Sequence, residues 1–445
     1  MPLLPLLILA YAAFYSLLCW QRFATFHAQI DLSYYLRQIW GIGHGYYDLP
    51  LVQARNILGL HLEPVLLPLA LLGRLGLPLV PLLLLLQAVA VGLLVWPAYR
   101  LGVRHLGGRG GGLVAAGVAL LYPTVTVATL HDFHPVTLAL APLLATIDAL
   151  DEGRFGRALL FGGLALLCRE DIALQLLCLF AAYALGRQAP LGPLLRTAGR
   201  RLAFAALLAA LALYFLGYIA WLQPRFVPAA GSYGLHFGKV AALLGGQIHS
   251  GRELLLGVLR HPLVLLGLLV EKERLLYLLL LLWPLALLPV LAPRPLAGLL
   301  PVLGINLLSS FPGVLRLESH YTTALVPFVI GAGLIGAGQL RRFAWARRPG
   351  MVQGLLLVAV VTAHIFHGGS PLAWRSERFS WTLFRDGPGA AGLRQQVAAI
   401  QAEMPQSASV AARPGPLAHL CERPRAISPP EYDDGLPVDV TLRGE

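Results

Sequence analysis

Residues 29–64 read QIDLSYYLRQIWGIGHGYYDLPLVQARNILGLHLEP and lie between two long apolar blocks. The stretch gathers Asp31, Asp48, Glu63, Tyr34, Tyr35, Tyr46, Tyr47, His44 and His61. Packing alone does not call for so many ionisable and phenolic groups at a membrane edge, so the stretch reads as a functional loop. With Asp31 at the start of a helix, Tyr34, Tyr35 and Gln38 follow at i+3, i+4 and i+7, on the same face, and Ile39 and Trp40 are left to lie on lipid. Asp31 is the candidate catalytic residue; the competing reading is a helix N-cap, a position Asp favours.

Around this loop the 445-residue chain is 57% hydrophobic and 13% charged. Its repeated apolar blocks have the length a bilayer requires, which makes it an integral membrane protein in contact with membrane lipids. The formal charge of +12 resides in short arginine clusters between those blocks, where it reports topology; nucleic acid is excluded as a partner on that ground. Cys19, Cys168, Cys178 and Cys421 have neither zinc-site nor disulfide spacing. Residues 3–20 lack a basic leader and a cleavage site, so they read as a first transmembrane helix rather than a signal peptide.

Apolar blocks run at about 3–20, 77–98, 111–128, 136–150, 157–168, 172–187, 203–222, 274–292, 296–309, 322–340 and 351–366. One more stretch, 62–73, decides the topology. If it does not cross, the clusters at Arg100/Arg104/Arg109, Arg154/Arg157, Arg187/Arg196/Arg200/Arg201, Arg294 and Arg341/Arg342/Arg347/Arg348 all fall on one side. The positive-inside rule favours that choice and makes 62–73 an interfacial helix. The expected fold is an all-α polytopic membrane protein with about eleven crossings, N-terminus cytoplasmic and C-terminus extracytoplasmic. Most histidines and many acids then fall on the outer side, His105 being clearly inside.

The expected division is a transmembrane domain over 1–366, with outer loops at 21–76 and 223–272, and a small extracytoplasmic α/β appendage over 367–445. Within 223–272, LLLGVLRHPLVLLGLL reads as interfacial because EKER follows it. Tyr233, His236, Lys239, His249 and Arg252 are its polar residues. In the appendage, LRQQVAAIQAEM and PLAHLCER read as helices and SVAA as a strand. The glycines of GGRGGG at 107–112 read as a flexible turn.

Four outer loops carry polar groups out of proportion to their length: the Asp31 loop, HDFHP at 131–135, CRED at 168–171 and RLESHY at 316–321. Asp132 and His134 read as a second acid or as metal ligands; the His-x-x-His pair of His131 and His134 with Asp132 between is a weak metal signal, and an N-cap followed by a proline turn explains part of it. No metal site is assigned, and a divalent metal remains an open cofactor. Arg169 reads as a phosphate clamp, with Glu170 and Asp171 as helix caps or site residues. His320 and Tyr321 read as substrate-hydroxyl binders or interface anchors. GAGLIG at 331–336 lies inside a spanning helix and reads as close helix packing, not as a dinucleotide loop. Gln87 and Gln175 are the chief polar residues within the apolar blocks, an arrangement poor in the midplane charges of an ion-coupled transporter.

The chain resembles the DUF2079 family of polytopic membrane proteins, itself similar to the GT-C class of membrane glycosyltransferases. Asp31, Leu32, Trp40, His44 and Gly45 carry the resemblance, with HLEP at 61–64, DFHP at 132–135, REDIAL at 169–174, HYTTALVPF at 320–328 and PLAHLCERP near the C-terminus. Leu36 and Arg37 depart from the pattern, which carries a second acid and a glutamine there. The looser similarity implies a catalytic aspartate in the first outer loop, juxtamembrane helices after it, and a polyprenyl-phosphate-linked sugar donor. It implies Asp31 as general base or orienting group for an acceptor of unspecified identity, with Arg169, Lys239 or Arg316 neutralising the lipid phosphate. Asp31 and Asp132 are then the catalytic candidates. Tyr35, Gln38, His44, His61, Glu63, His134, Arg169, Glu170, His320 and Tyr321 are the substrate-binding ones. The implied setting is the cell inner membrane; the rivals are a lipid-linked transporter or flippase and a non-catalytic scaffold.

Overall fold

The first apolar block folds as one 22-residue helix, Leu3–Ala24, about 33 Å long and able to cross a bilayer. The computed structural model describes residues 3–47, 49, 56–185, 190–227, 233–244, 246, 248, 251–348, 350–428 and 437–442. Asp48, His249 and the side chain of Arg252 lie outside the described set. Among the described residues, Leu3–Ala24, Leu79–Leu121, Ala198–Arg225 and His320–Leu340 are long and apolar enough to cross. Shorter apolar helices lie at Phe155–Leu166, Ile172–Ala184, Pro293–Leu308 and Met351–His367. The protein is a mostly helical membrane protein.

Two blocks expected as separate crossings fall within the single run Leu79–Leu121. That run doubles back at Gly107 and Gly108, whose φ values are 94° and 61°, and Val95–Gly102 returns along Gly108–Leu121. A Cβ added to Gly102 would sit 2.4 Å from that of Ala115, so the two helices touch through small residues. The glycine run is therefore a turn only at its first two positions. Its remainder belongs to the helix Gly108–Leu121.

The 274–292 block is not one continuous helix. It runs as Lys272–Leu282 and then as 3-10 turns to Leu291. Pro284 and Pro289 supply no backbone N–H for an α-helix there. Arg274, the last residue of EKER, is 1% exposed and donates to the backbone carbonyls of Leu307 and Ser309. The preceding apolar stretch breaks at His261 into Gly251–Arg260 and Pro262–Leu269, of 10 and 8 residues. Each is under about 16 Å long and does not reach across a bilayer.

The stretch 62–73 contributes the 9-residue helix Leu66–Arg74, about 14 Å and also too short to cross. The 15-residue helix Ile30–His44 lies against it. Gly43 permits that approach, since a Cβ there would be 2.9 Å from the Ala70 carbonyl oxygen. The expectation that Ile39 and Trp40 face lipid is corrected: they are 0% and 6% exposed, because neighbouring helices cover this side.

The C-terminal region holds the helix Ala390–Glu403 and three two-residue strands, β1 Val410–Ala411, β2 Ala426–Ile427 and β3 Val440–Thr441. They form a parallel sheet in the order β2-β1-β3. The helix expected over PLAHLCER is confined to Pro414–Leu417. Arg37 donates to the carbonyls of Ala426 at 3.2 Å and Pro424 at 2.6 Å. His419 stacks on Phe23 with ring centroids 3.9 Å apart. Arg100 and Arg104 pair with Asp148, Asp151 and Glu152.

Candidate functional site

Asp31 sits in the first turn of Ile30–His44, but it does not cap that helix. The N-cap residue is Gln29, which makes no side-chain capping bond. Asp132 reaches across instead: its oxygens accept from the N–H groups of Gln29 at 3.1 Å and Leu32 at 3.0 Å. These are the unsatisfied donors of a helix start, and a carboxylate suits the positive end of its dipole. Arg22 lies 3.7 Å from the same carboxylate and donates to the Leu130 carbonyl. Asp132 thus holds the turn from which Asp31 projects, and the Asp31 carboxylate is spared for other contacts.

Those contacts are histidines. Oδ2 of Asp31 is 3.4 Å from Nε2 of His134, whose Nδ1 lies 2.9 Å from the Asp132 carbonyl oxygen. A carbonyl only accepts, so Nδ1 carries the proton and Nε2 faces the carboxylate. His320 stacks on His134 with centroids 4.5 Å apart, and His131 packs against both rings at 5.4 and 5.8 Å. Nδ1 of His131 is buried without a hydrogen-bond partner. Burial raises the Asp31 pKa, but the hydrogen bond to His134 and the neighbouring histidines outweigh it and hold the carboxyl well below its ordinary range. Burial opposes charge on His134, while Asp31 raises its pKa overall. Burial, then the charge of His134, pushes His131 down to about 3.

Tyr35 joins this cluster to a second one. Its ring meets His134 edge-on at 5.6 Å, and its hydroxyl donates to Glu63 Oε1 at 3.2 Å. Oε2 of Glu63 is buried without a partner, and burial pushes this carboxyl up to about 7. His61 lies 3.1 Å from Glu170, which also accepts from the Leu62 N–H at 2.9 Å. Arg169 donates through Nε and Nη2 to Asp171. Glu170 and Asp171 are therefore engaged with His61 and Arg169, and the side chain of Asp171 makes no capping bond to the helix Ile172–Ala184.

The two glutamines inside apolar helices support these loops. Gln87 donates to the carbonyls of Ala128, Thr129 and His131 and accepts from the N–H of His134. Gln175 donates to the Ala324 carbonyl, just after His320 and Tyr321. Asn306 donates to the Tyr321 carbonyl at 3.2 Å. Each loop is thus tied by a buried amide that has no better partner in an apolar bundle.

Other sequence candidates lie apart from the histidines. Gln38 donates to the Leu49 carbonyl, His44 bonds and stacks on Trp40, and Lys239 pairs with Glu271. Tyr321 adjoins the cluster, its ring 4.1 Å from that of His320. Arg378 was missed in the sequence: its charge bears on His131, but it stands in a tail with no motif to mark it. His131 was read only as the first member of a weak His-x-x-His metal signal with His134.

The model of a protein family described as a predicted membrane protein, DUF2079, matches residues 22–436. No curated protein matches the chain.

Proposed function

We propose that this chain, which belongs to the DUF2079 family of predicted membrane proteins, transfers a sugar from a polyprenyl-phosphate-linked donor to an acceptor hydroxyl. The observation that carries the reading is the convergence of Asp31, of His131 and His134, and of His320 from three separate segments, with Asp31 3.4 Å from His134. A half-buried carboxylate beside a buried imidazole, His134, and two half-buried ones suits proton handling at a reacting hydroxyl.

In this reading Asp31 orients the acceptor hydroxyl, and the cluster takes its proton. The hydroxyl oxygen attacks the anomeric carbon; the bond from that carbon to the lipid phosphate oxygen breaks, and the phosphate leaves with the electron pair. We assign that phosphate to Arg316, in the loop that carries His320: it is exposed and, among the described residues, no ion pair engages it. Arg169 and Lys239 already have acidic partners. The acceptor enters by a cleft of about 620 Å³ lined by His27, Gln29, Ile30 and Arg413, which adjoins the start of the Asp31 helix. We assign the reaction to the outer face of the cell inner membrane, with about eleven crossings and the 367–445 region as an extracytoplasmic domain.

The test is release of polyprenyl phosphate from a mixed panel of lipid-phosphate sugars by the purified protein in lipid. Turnover by wild type that drops at least about 100-fold in a folded Asp31→Asn variant supports the reading. Turnover unchanged by that substitution, or none with any donor, overturns it.

A further inference from the structure

The lone pairs at the centre of the histidine cluster pose a chemical problem. His134 Nδ1 is committed as a donor to the Asp132 carbonyl, so a neutral His134 turns the lone pair of Nε2 toward the carboxylate 3.4 Å away. In that neutral state two acceptors face each other, and a cation between them, a proton on Nε2 or a metal ion, resolves the conflict. The third side chain of the group, His131, has one ring nitrogen buried and unpartnered, an expensive condition for a polar atom.

We propose that Asp31, His131 and His134 bind a divalent transition metal ion of the zinc type. One ligand atom from each of the three lies within 4.8 Å of the others. Bonds of about 2.1 Å at tetrahedral angles put neighbouring ligand atoms about 3.4 Å apart, the spacing between Asp31 and His134. Two imidazoles and one carboxylate form a donor set for zinc or another late first-row ion, and leave an open coordination position. The anchored Nδ1 of His134 is the outer-shell bond that metal-binding histidines use to fix tautomer and ring plane. A proton shared by Asp31 and His134 is the smaller alternative, and it leaves His131 without a role.

The inference concerns the same residues as the proposed transfer reaction but is read without turnover. Chelator-treated protein in detergent is titrated with Co(II), followed by visible absorption, and with Zn(II) in competition. The expected result is one equivalent bound with the d–d bands of a low-coordinate site carrying nitrogen ligands. Affinity falls about 100-fold or more in His131→Gln and in His134→Gln, and stays unchanged in His61→Gln, outside the group. Absence of saturable Co(II) bands in wild type overturns the inference whatever the variants do. So does an affinity that neither cluster substitution alters. Metal binding without sugar transfer leaves the site standing and removes the glycosyltransferase reading; transfer by metal-free protein without binding does the reverse.

Discussion

Glu63 shows how one side chain here couples burial to pH. It is buried beside His61, Glu170, Arg169 and Tyr35, and burial lifts its pKa from 4.5 to about 7. The folded state therefore holds the proton more tightly than the unfolded state. That contribution is complete below about pH 4.5 and disappears as pH rises to about 7. The shift is worth on the order of 3 kcal/mol. Glu63→Gln keeps an acceptor for Tyr35 and removes the titration. It is expected to flatten the loss of stability from pH 5 to 8 and to melt above wild type at pH 8. Thermal unfolding of both proteins in one detergent across that range measures it, and parallel pH profiles would refute the assignment. The importance of this neighbourhood was legible in the sequence from the density of polar groups in 29–64. The division of labour was not: that Asp132 caps the helix and frees Asp31 depends on a contact 100 residues away in sequence, between Asp132 and Leu32, which no local pattern encodes.

Among the elements, the hairpin of Val95–Gly102 and Gly108–Leu121 shows where hydropathy succeeds and fails. Hydropathy finds apolar blocks, and it reads 77–98 and 111–128 as two because arginines lie between them. It does not see proline-broken turns within an apolar block, which is why 274–292 read as one helix. Nor does it distinguish glycines that turn the chain from glycines that let helices touch. Gly102 is of the second kind: its added Cβ would lie 2.4 Å from Ala115 Cβ and 2.5 Å from the Gly111 carbonyl oxygen. Backbone blocks the way, so Gly102→Ala is expected to destabilise by about 1–3 kcal/mol. Gly117, in the same helical pair, has nothing within 4 Å of its added Cβ. Gly117→Ala should raise stability by about 0.5–1 kcal/mol by removing backbone entropy from the unfolded chain. Opposite signs in matched melts are the expected outcome; a Gly102→Ala protein as stable as wild type would mean the hairpin is not packed as described.

At the scale of the whole molecule, the C-terminal region is fastened to the loop that carries Asp31, and this docking explains a departure noted in the sequence. Arg37 stands where the family pattern has a different residue, and it spends its guanidinium on the carbonyls of Ala426 and Pro424. The composition shift after 367 announced a separate region, but surface complementarity between distant segments leaves no periodic trace, so its seat was not legible. The seat is narrow at Gly415: a Cβ there would lie 1.9 Å from the Phe26 carbonyl oxygen, and Phe26 itself holds a φ of 62°, an uncommon conformation for a bulky residue. Neither backbone can yield without moving the tail. Gly415→Ala is therefore expected to loosen this docking by about 2 kcal/mol or more, raising amide exchange across 390–428 about 30-fold or more. Exchange in Leu79–Leu121 should be unaffected. Gly392→Ala, in the same region but with open space around its added Cβ, serves as the matched control and should leave exchange unchanged or slower. If Gly415→Ala exchanges like wild type, the tail does not rest on the Asp31 loop, and the cleft assigned to the acceptor loses one of its walls.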